Sequence, residues 1–470
     1  MEYSRRDFLK TIGAAVGTAA VGSQLAGCGN SDNSDLDKFN NDDYEKQQEP
    51  AKGKMTYRTT PATGDKVSIL GYGMMRLPML EKDENNPDAQ DEIDQEQVNK
   101  LVDYAMEHGI NYYDTSPVYC QGKSERATGI ALKRHPRDKF YVATKLSNFS
   151  EPAWSREGAI EMYRNSMKEL QVDYIDYYLL HAVGGGGMDN LHSRYLDSGI
   201  MDFLLEERKA GRIRNLGFSF HGEVEVFDWL LAHNDQYHWD FVQIQMNYVD
   251  WRPNYTEEEK NISALYLYTE LEKRGIPAVI MEPLLGGRLA KLPKFVIKKL
   301  KERAPEQSLA SWAFRYCGTP KNILTVLSGM TYMEHLKDNL LSYCPLKPLT
   351  DEEMKFLYDV ADDIRSVQTI PCTGCAYCMP CPYGIDIPTI FQHYNKCLNE
   401  GNLPSNPNDS EYSRLRHNYL VGLARKVASE RQPDHCIGCG ECLSHCPQEI
   451  KIPRELQKID EFINNLKASI

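Results

Sequence analysis

Apolar and polar positions change rhythm several times along this chain. Residues 11–22 are small and apolar, and residues 29–54 are polar with almost no apolar member. From about Met55 short apolar runs alternate with stretches whose apolar residues recur every three to four positions. The short runs predict strands at 68–73, 111–114, 140–145, 174–181, 213–219, 241–246, 278–282 and 323–328. Helical periodicity lies between them, as at 95–108, 156–170, 201–210 and 308–316, and several of these stretches end in Gly, as helices prefer. Eight strands alternating with helices predict an α/β fold of the (β/α)8 TIM barrel type. An open doubly wound sheet should carry a G-x-G-x-x-G turn, and Gly71-Tyr72-Gly73 is not followed by one. Past about Leu349 the alternation stops and cysteine takes over. The expected organisation is a separate N-terminal segment at 1–28, a disordered tether at 29–54, the barrel at 55–348 and a small, mainly helical module at 349–470.

Several predicted strands end on residues that carry chemistry. The run 111–114 ends on Asp114 and leads to Tyr119, the next ends on Lys145 and the next on His181. In a parallel barrel the strand ends meet on one face, so these four residues can share a site. The set resembles that of the aldo-keto reductases, with an Asp, a Tyr five residues on, a Lys ending the next strand and a His ending the one after. All four positions match. A carbonyl that accepts hydride needs a proton on its oxygen, and a free phenol, with a pKa of about 10, yields one reluctantly. The resemblance makes Tyr119 the acid, Lys145 the charge that lowers its pKa, Asp114 the anchor of Lys145, and His181 a second hydrogen-bond partner of the carbonyl oxygen.

The resemblance also implies NAD(P)H and a small carbonyl or alcohol substrate. Ser219 and Gln243 match residues that hold the carboxamide, and Asn339 matches one that contacts adenine. Phe220 replaces the family's Asn, Met281-Glu282 stands where it has Tyr-Ser, His335 replaces an Arg, and 328–331 lacks the usual Lys. A 2′-phosphate wants a cation, so these departures bear on NADP preference more than on the tetrad.

The cysteines form two runs. Cys372-x2-Cys375-x2-Cys378-x2-Cys381-Pro382 is followed by Cys436-x2-Cys439-x2-Cys442-x3-Cys446-Pro447. The second has the bacterial ferredoxin spacing for a 4Fe-4S cluster, and the first is one residue shorter before its last Cys. In two-cluster ferredoxins the fourth Cys of each run ligates the other cluster. Cys372, Cys375, Cys378 and Cys446 are therefore expected on one 4Fe-4S cluster, and Cys436, Cys439, Cys442 and Cys381 on the other, with Cys381 the ligand most affected by the short gap. Zinc sites and disulfides are the competing readings; two tight runs ending in Cys-Pro favour iron–sulfur over zinc, and cysteines two apart pair poorly with one another. Between the runs, Tyr412, Leu415, Tyr419, Leu420, Leu423 and Val427 form a helical stripe expected in a core, and the arrangement resembles the helical two-cluster ferredoxin domains.

The remaining motifs add less. Gly184 to Gly187 lacks the Lys-Ser/Thr of a phosphate loop and reads as a flexible βα loop. Cys120 beside Tyr119 reads as packing, and Cys317, Cys344 and Cys397 as buried small hydrophobes. A formal charge of −13 argues against nucleic acid as a partner, since nucleic acid selects basic surfaces. Ser4-Arg5-Arg6-Asp7-Phe8-Leu9-Lys10, with Leu25-Ala26-Gly27-Cys28 after the apolar run, resembles a twin-arginine signal ending in a lipobox. The apolar run is shorter than the roughly 17 residues a spanning helix needs. The expected location is the periplasmic or cell-envelope face, anchored to the membrane through lipidated Cys28. The twin-arginine route carries folded proteins, as a chain that acquires its clusters in the cytoplasm requires.

Two functions follow. In the first, the chain is an oxidoreductase interconverting a carbonyl and an alcohol with Tyr119 as acid or base, electrons also passing through the clusters to a redox partner protein or membrane donor. In the second, it is an electron-transfer subunit whose barrel serves as a binding module.

Overall fold

A computed structural model describes residues 48–80, 92–252 and 263–469. The arginine pair, Cys28 and most of the polar run lie outside the described residues.

A hairpin of β1 (Tyr57–Thr59) and β2 (Lys66–Ser68) precedes eight parallel strands. These are β3 (Leu70–Gly73), β4 (Tyr112–Asp114), β5 (Tyr141–Leu146), β6 (Ile175–Gly184), β7 (Ile213–His221), β8 (Phe241–Gln245), β9 (Ala278–Met281) and β10 (Ile323–Ser328), and β10 pairs with β3 to close the barrel. Val67 of the hairpin joins Tyr112, Tyr177, Leu179, Phe241, Val279 and Leu324 in the barrel interior. Closure leaves no open edge, and it sets the strand ends side by side on one face.

Three expectations need correction. The strand expected at 68–73 breaks at Ile69, because Ser68 still pairs with Tyr57 and its hydroxyl donates to Leu70 O at 2.7 Å. The glycine run is not an open loop. After a register shift at Ala182 (φ 49°), Gly184 pairs with His221 as the last residue of β6, and Gly187 opens the short helix Gly187–Leu191. The barrel does not end at Pro348. The next helix, Asp351–Ser366, is capped by Thr350 and Glu353, takes the Arg315 guanidinium on Glu353 at 3.0 Å, and buries Leu357, Val360, Ala361 and Ile364 in the barrel's outer core.

At the other end the described residues begin inside the expected tether, and they are packed. Pro50 is buried, and Glu49 accepts a hydrogen bond from Tyr104 at 2.7 Å while pairing with Lys337.

A second core lies beyond residue 366. Ile387–Asn399, Tyr412–Ala424 and Ile452–Ala468 are its helices. Ile390, Phe391, Tyr419, Leu423, Val427, Leu456 and Ile463 are buried together there. Of the expected stripe, Tyr419, Leu423 and Val427 are fully buried, whereas Tyr412, Leu415 and Leu420 are half-buried.

Candidate active site

The strand ends converge as the sequence implies. Lys145 Nζ donates to Asp114 Oδ1 at 2.6 Å and to Thr115 O at 2.8 Å, with both side chains buried. Burial pushes the Asp114 carboxyl up and the Lys145 ammonium down, and each partner's charge opposes the shift in the other. Asp114 Oδ2 has no partner.

Tyr119 follows in the turn Tyr119–Gly122, where Cys120 (φ 50°) and Gln121 (φ 56°) bend the chain through the left-handed region. Cys120 Sγ donates to Met75 O at 3.4 Å, the packing role expected of it. Lys145 Nζ lies 4.9 Å from the centre of the Tyr119 ring, and the His181 ring meets the same ring edge-on at 5.9 Å. His181 Nδ1 is hydrogen-bonded to Ser147 Oγ at 2.5 Å. Burial, then the charges of Lys145 and Arg194, hold the imidazole well below its usual pKa, so it is neutral. Nε2 is the ring nitrogen left for a substrate oxygen.

The expected lowering of the Tyr119 pKa is not found. Burial raises it well above 10, followed by Tyr377, Asp114 and Glu282. The Lys145 ammonium donates to Asp114 and Thr115 and lies over the Tyr119 ring.

Two residues of the site are absent from the sequence reading. Glu125 is buried beneath Lys145, accepting a hydrogen bond from Thr144 Oγ1, and burial pushes its carboxyl up to about 7 against the pull of Thr144, Ser166 and Lys145. In sequence it is only an acid in the first turn of Ser124–Leu132, a position that helices favour for reasons of dipole alone. The other is Tyr377, from the first cysteine run, whose ring lies 6.5 Å edge-on from that of His181 and whose phenol is among the groups that push the Tyr119 pKa up. Nothing in the spacing of a cysteine run tells where its loop will dock.

The positions matched to a nicotinamide lie on the same face. Ser219 and Gln243 are register partners on β7 and β8. Ser219 Oγ accepts from Ala182 N at 2.8 Å, and Gln243 Oε1 is a buried acceptor without a partner, which fits a carboxamide NH2. Asn339, on the helix Met333–Tyr343, donates to Ser328 Oγ at 2.8 Å. Glu282 stands at the end of β9 at φ 53°, its carboxyl pushed up by burial against Arg76 and Arg288.

The eight cysteines form two groups. Cys372, Cys375, Cys378 and Cys446 line one cavity with Phe391 and Ile450, while Cys381, Cys436, Cys439 and Cys442 line another, which Cys378 borders. Burial and then Cys375, Cys372 and Cys446 push the Cys378 thiol up to about 12. Burial, then Cys436, Cys439 and Cys381 push Cys442 up to about 11. Each group thus draws its fourth member from the opposite run, as a pair of ferredoxin cubes would require. Among the described residues no three His, Cys, Asp or Glu side chains converge on a single ion.

The first run docks on the barrel mouth. Arg76 Nη2 donates to Thr373 O at 2.6 Å, Arg288 Nη2 to Thr369 Oγ1 at 2.7 Å, and Gln448 Nε2 to Gln245 Oε1 at 3.0 Å. Gly286 (φ +67°) is required beneath it, since a Cβ there would lie 2.0 Å from Thr373 O.

Known proteins resemble the chain in the same two parts. The sequence model of the aldo/keto reductase family matches residues 70–362, and that of a 4Fe-4S dicluster domain matches residues 371–451. L-galactose dehydrogenase of Arabidopsis thaliana is 25% identical over 314 residues, covering 63% of this chain and 90% of that protein. Glyoxal reductase of Bacillus subtilis is 26% identical over 190 residues, 40% of this chain and 58% of that one. Among solved structures, the holo form of an aldo-keto reductase from Bacillus halodurans aligns with a TM-score of 0.51 at 25% identity, over 65% of this chain and 96% of that one. The chain belongs to the aldo/keto reductase family, as an oxidoreductase whose barrel is followed by a domain that handles electrons through iron–sulfur clusters.

Proposed function

We propose that the chain interconverts a carbonyl and an alcohol at Tyr119, with two 4Fe-4S clusters held as the cysteine groups suggest. The observation that carries this reading is the buried Lys145–Asp114 pair, 2.6 Å apart, set against the Tyr119 ring beside a neutral His181. In the reductive direction Tyr119 Oη gives its proton to the carbonyl oxygen while His181 donates a hydrogen bond to it. Lys145 stabilises the phenolate left behind, and Asp114 keeps Lys145 charged. In the oxidative direction the same phenolate takes the alcohol proton. Ser219 and Gln243 would hold a nicotinamide carboxamide, and Asn339 the adenine. A bound nicotinamide supplies or takes the hydride, and the clusters exchange single electrons with a redox partner. Where a 2′-phosphate would need Arg or Lys, the stretch after β10 offers His335, held below its usual pKa by burial; the proposed cofactor is NADH before NADPH.

The relatives' names, a sugar dehydrogenase and a dicarbonyl reductase, point to a small polar carbonyl or hydroxyl substrate. The Arg5-Arg6 motif and the box ending at Cys28 support export and lipid anchoring on the envelope face, with the electron donor at the membrane.

One observation favours the second reading, an electron-transfer subunit with a barrel that only binds: Tyr377 lies over the tetrad, with its ring 6.5 Å from that of His181. Tyr119→Phe separates the two. Under the enzymatic reading it lowers turnover of aldehyde and alcohol probes by about 10²- to 10⁴-fold while cluster absorbance stays as in the native protein. Full turnover in Tyr119→Phe, with function abolished in Cys439→Ala, would leave the barrel a binding module.

A further inference from the structure

The segment Cys375-Ala376-Tyr377-Cys378 crosses the barrel mouth with Ala376 at φ 63°, and its tyrosine turns inward. The Tyr377 ring lies 6.5 Å from that of His181, edge-on, and 6.2 Å from that of Phe149. Its phenol is one of the groups that raise the pKa of Tyr119. The loop is held on more than one side, through Arg76 on Thr373 O, Arg288 on Thr369 and Gln245 on Gln448, over the bare backbone of Gly286. Tyr377 therefore stands over His181, which itself meets the Tyr119 ring, and these are the two groups that the reaction above assigns to the substrate oxygen. A phenolic oxygen and a carbonyl oxygen are both acceptors for the one proton on Tyr119, and they cannot occupy the same place.

We propose that Tyr377 is the gate of this active site: its hydroxyl holds the oxygen position on Tyr119, and a substrate enters by displacing it. The inference rests on the reading of Tyr119 as the acid. It goes further in coupling the two halves of the chain. Tyr377 is followed directly by Cys378 and lies two residues after Cys375, so when the loop lifts to release its side chain the backbone between two thiols of one group shifts. Occupancy of the tetrad is thereby felt at the cluster those thiols hold. The cluster loop is both the lid of the site and the sensor of what lies beneath it.

The test uses the full, cluster-loaded protein under anaerobic conditions, with benzaldehyde as the probe for binding and benzyl alcohol, inert under reducing conditions, for spectroscopy. Tyr377→Phe keeps the ring and removes the competing hydroxyl, so equilibrium dialysis should show benzaldehyde bound about two- to ten-fold more tightly, the range of one net hydrogen bond. Tyr377→Ala should bind it at least as well. Saturating benzyl alcohol should alter the electron paramagnetic resonance of the reduced clusters in the native protein and leave it unaltered in Tyr377→Ala, where nothing remains to be displaced. Matching iron content shows that both variants retain their clusters. Equal or weaker binding by Tyr377→Phe would make Tyr377 a wall and overturn the gate, whatever Tyr119→Phe does to turnover. Binding of neither probe by any of the three proteins would overturn the carbonyl reading itself, and the gate with it.

Discussion

Glu125 offers a measurement whose size follows from the structure. Its carboxyl is 2% exposed, beneath Lys145, and burial raises its pKa from the ordinary 4.5 to about 7. A raised carboxyl binds its proton more tightly in the folded chain than in the unfolded one. Between about pH 4.5 and 7 the native state therefore holds the extra proton, and stability falls as pH rises through that window. At about 1.4 kcal/mol for each tenfold change in proton affinity, the penalty reaches roughly 3 kcal/mol above pH 7 and is under about 1 kcal/mol at pH 5. Glu125→Gln has the same shape, can still accept from Thr144 Oγ1, and carries no charge to desolvate. Its stabilisation should grow from under about 1 kcal/mol at pH 5 to about 3 kcal/mol at pH 8. The assay is urea unfolding followed by tryptophan fluorescence. All five tryptophans, Trp154, Trp229, Trp239, Trp251 and Trp312, lie in the barrel, so the signal reports the barrel and not the cluster domain. The midpoint shift at constant slope gives the difference. A gain that is the same at both pH values, or a loss at pH 8, would refute the assignment of a costly buried charge to Glu125.

Three further outcomes follow from the same geometry. Tyr119→Phe should cost about 10²- to 10⁴-fold in turnover with unchanged cluster spectra. Lys145→Met strands Asp114, whose Oδ2 already lacks a partner, and should destabilise the barrel by about 3–5 kcal/mol in the same urea assay; an unchanged midpoint would mean that the pair is not buried together. Cys446→Ser should disturb the resonance of the cluster beside Tyr377, and Cys381→Ser that of the other, as read by paramagnetic resonance and iron content; disturbance confined to the cluster of each residue's own run would assign ligands by run instead.

The barrel was legible because its strands and helices have different periods, and the tetrad because Asp114, Lys145 and His181 each lie toward the C-terminal end of a strand. Once eight parallel strands form a ring, the end of a strand is a place in space as well as in sequence. What stayed hidden depends on contacts that periodicity does not carry. The break at Ile69 comes from a serine that bonds across the turn, and the helix Asp351–Ser366 joins the barrel through an apolar face that looks the same whichever core it serves. Glu125 reads as an ordinary first-turn acid until its burial is seen, and Tyr377 as a spacer between ligands until the loop is seen to dock. The one reversal of chemistry, a Tyr119 pKa raised and not lowered, has the same origin, since burial and Tyr377 both act on it.

The way the cysteine loop is fastened bears on whether it can open. The barrel's apolar core and that of the cluster domain are separate clusters of buried residues, so lifting the loop need not break either. The fastenings are polar and reach largely to backbone or amide groups: Arg76 to Thr373 O, Asn399 to Lys291 O, Gln448 to Gln245. Each exchanges for water at a net cost of about 0.5–1.5 kcal/mol, rising to about 1.5–3 where a guanidinium donates. Interfaces of this polar kind between domains behave like transient contacts. A tether through buried leucines would have fixed the mouth shut; one through arginines and amides holds Tyr377 over the site, loosely enough for a substrate to take its place.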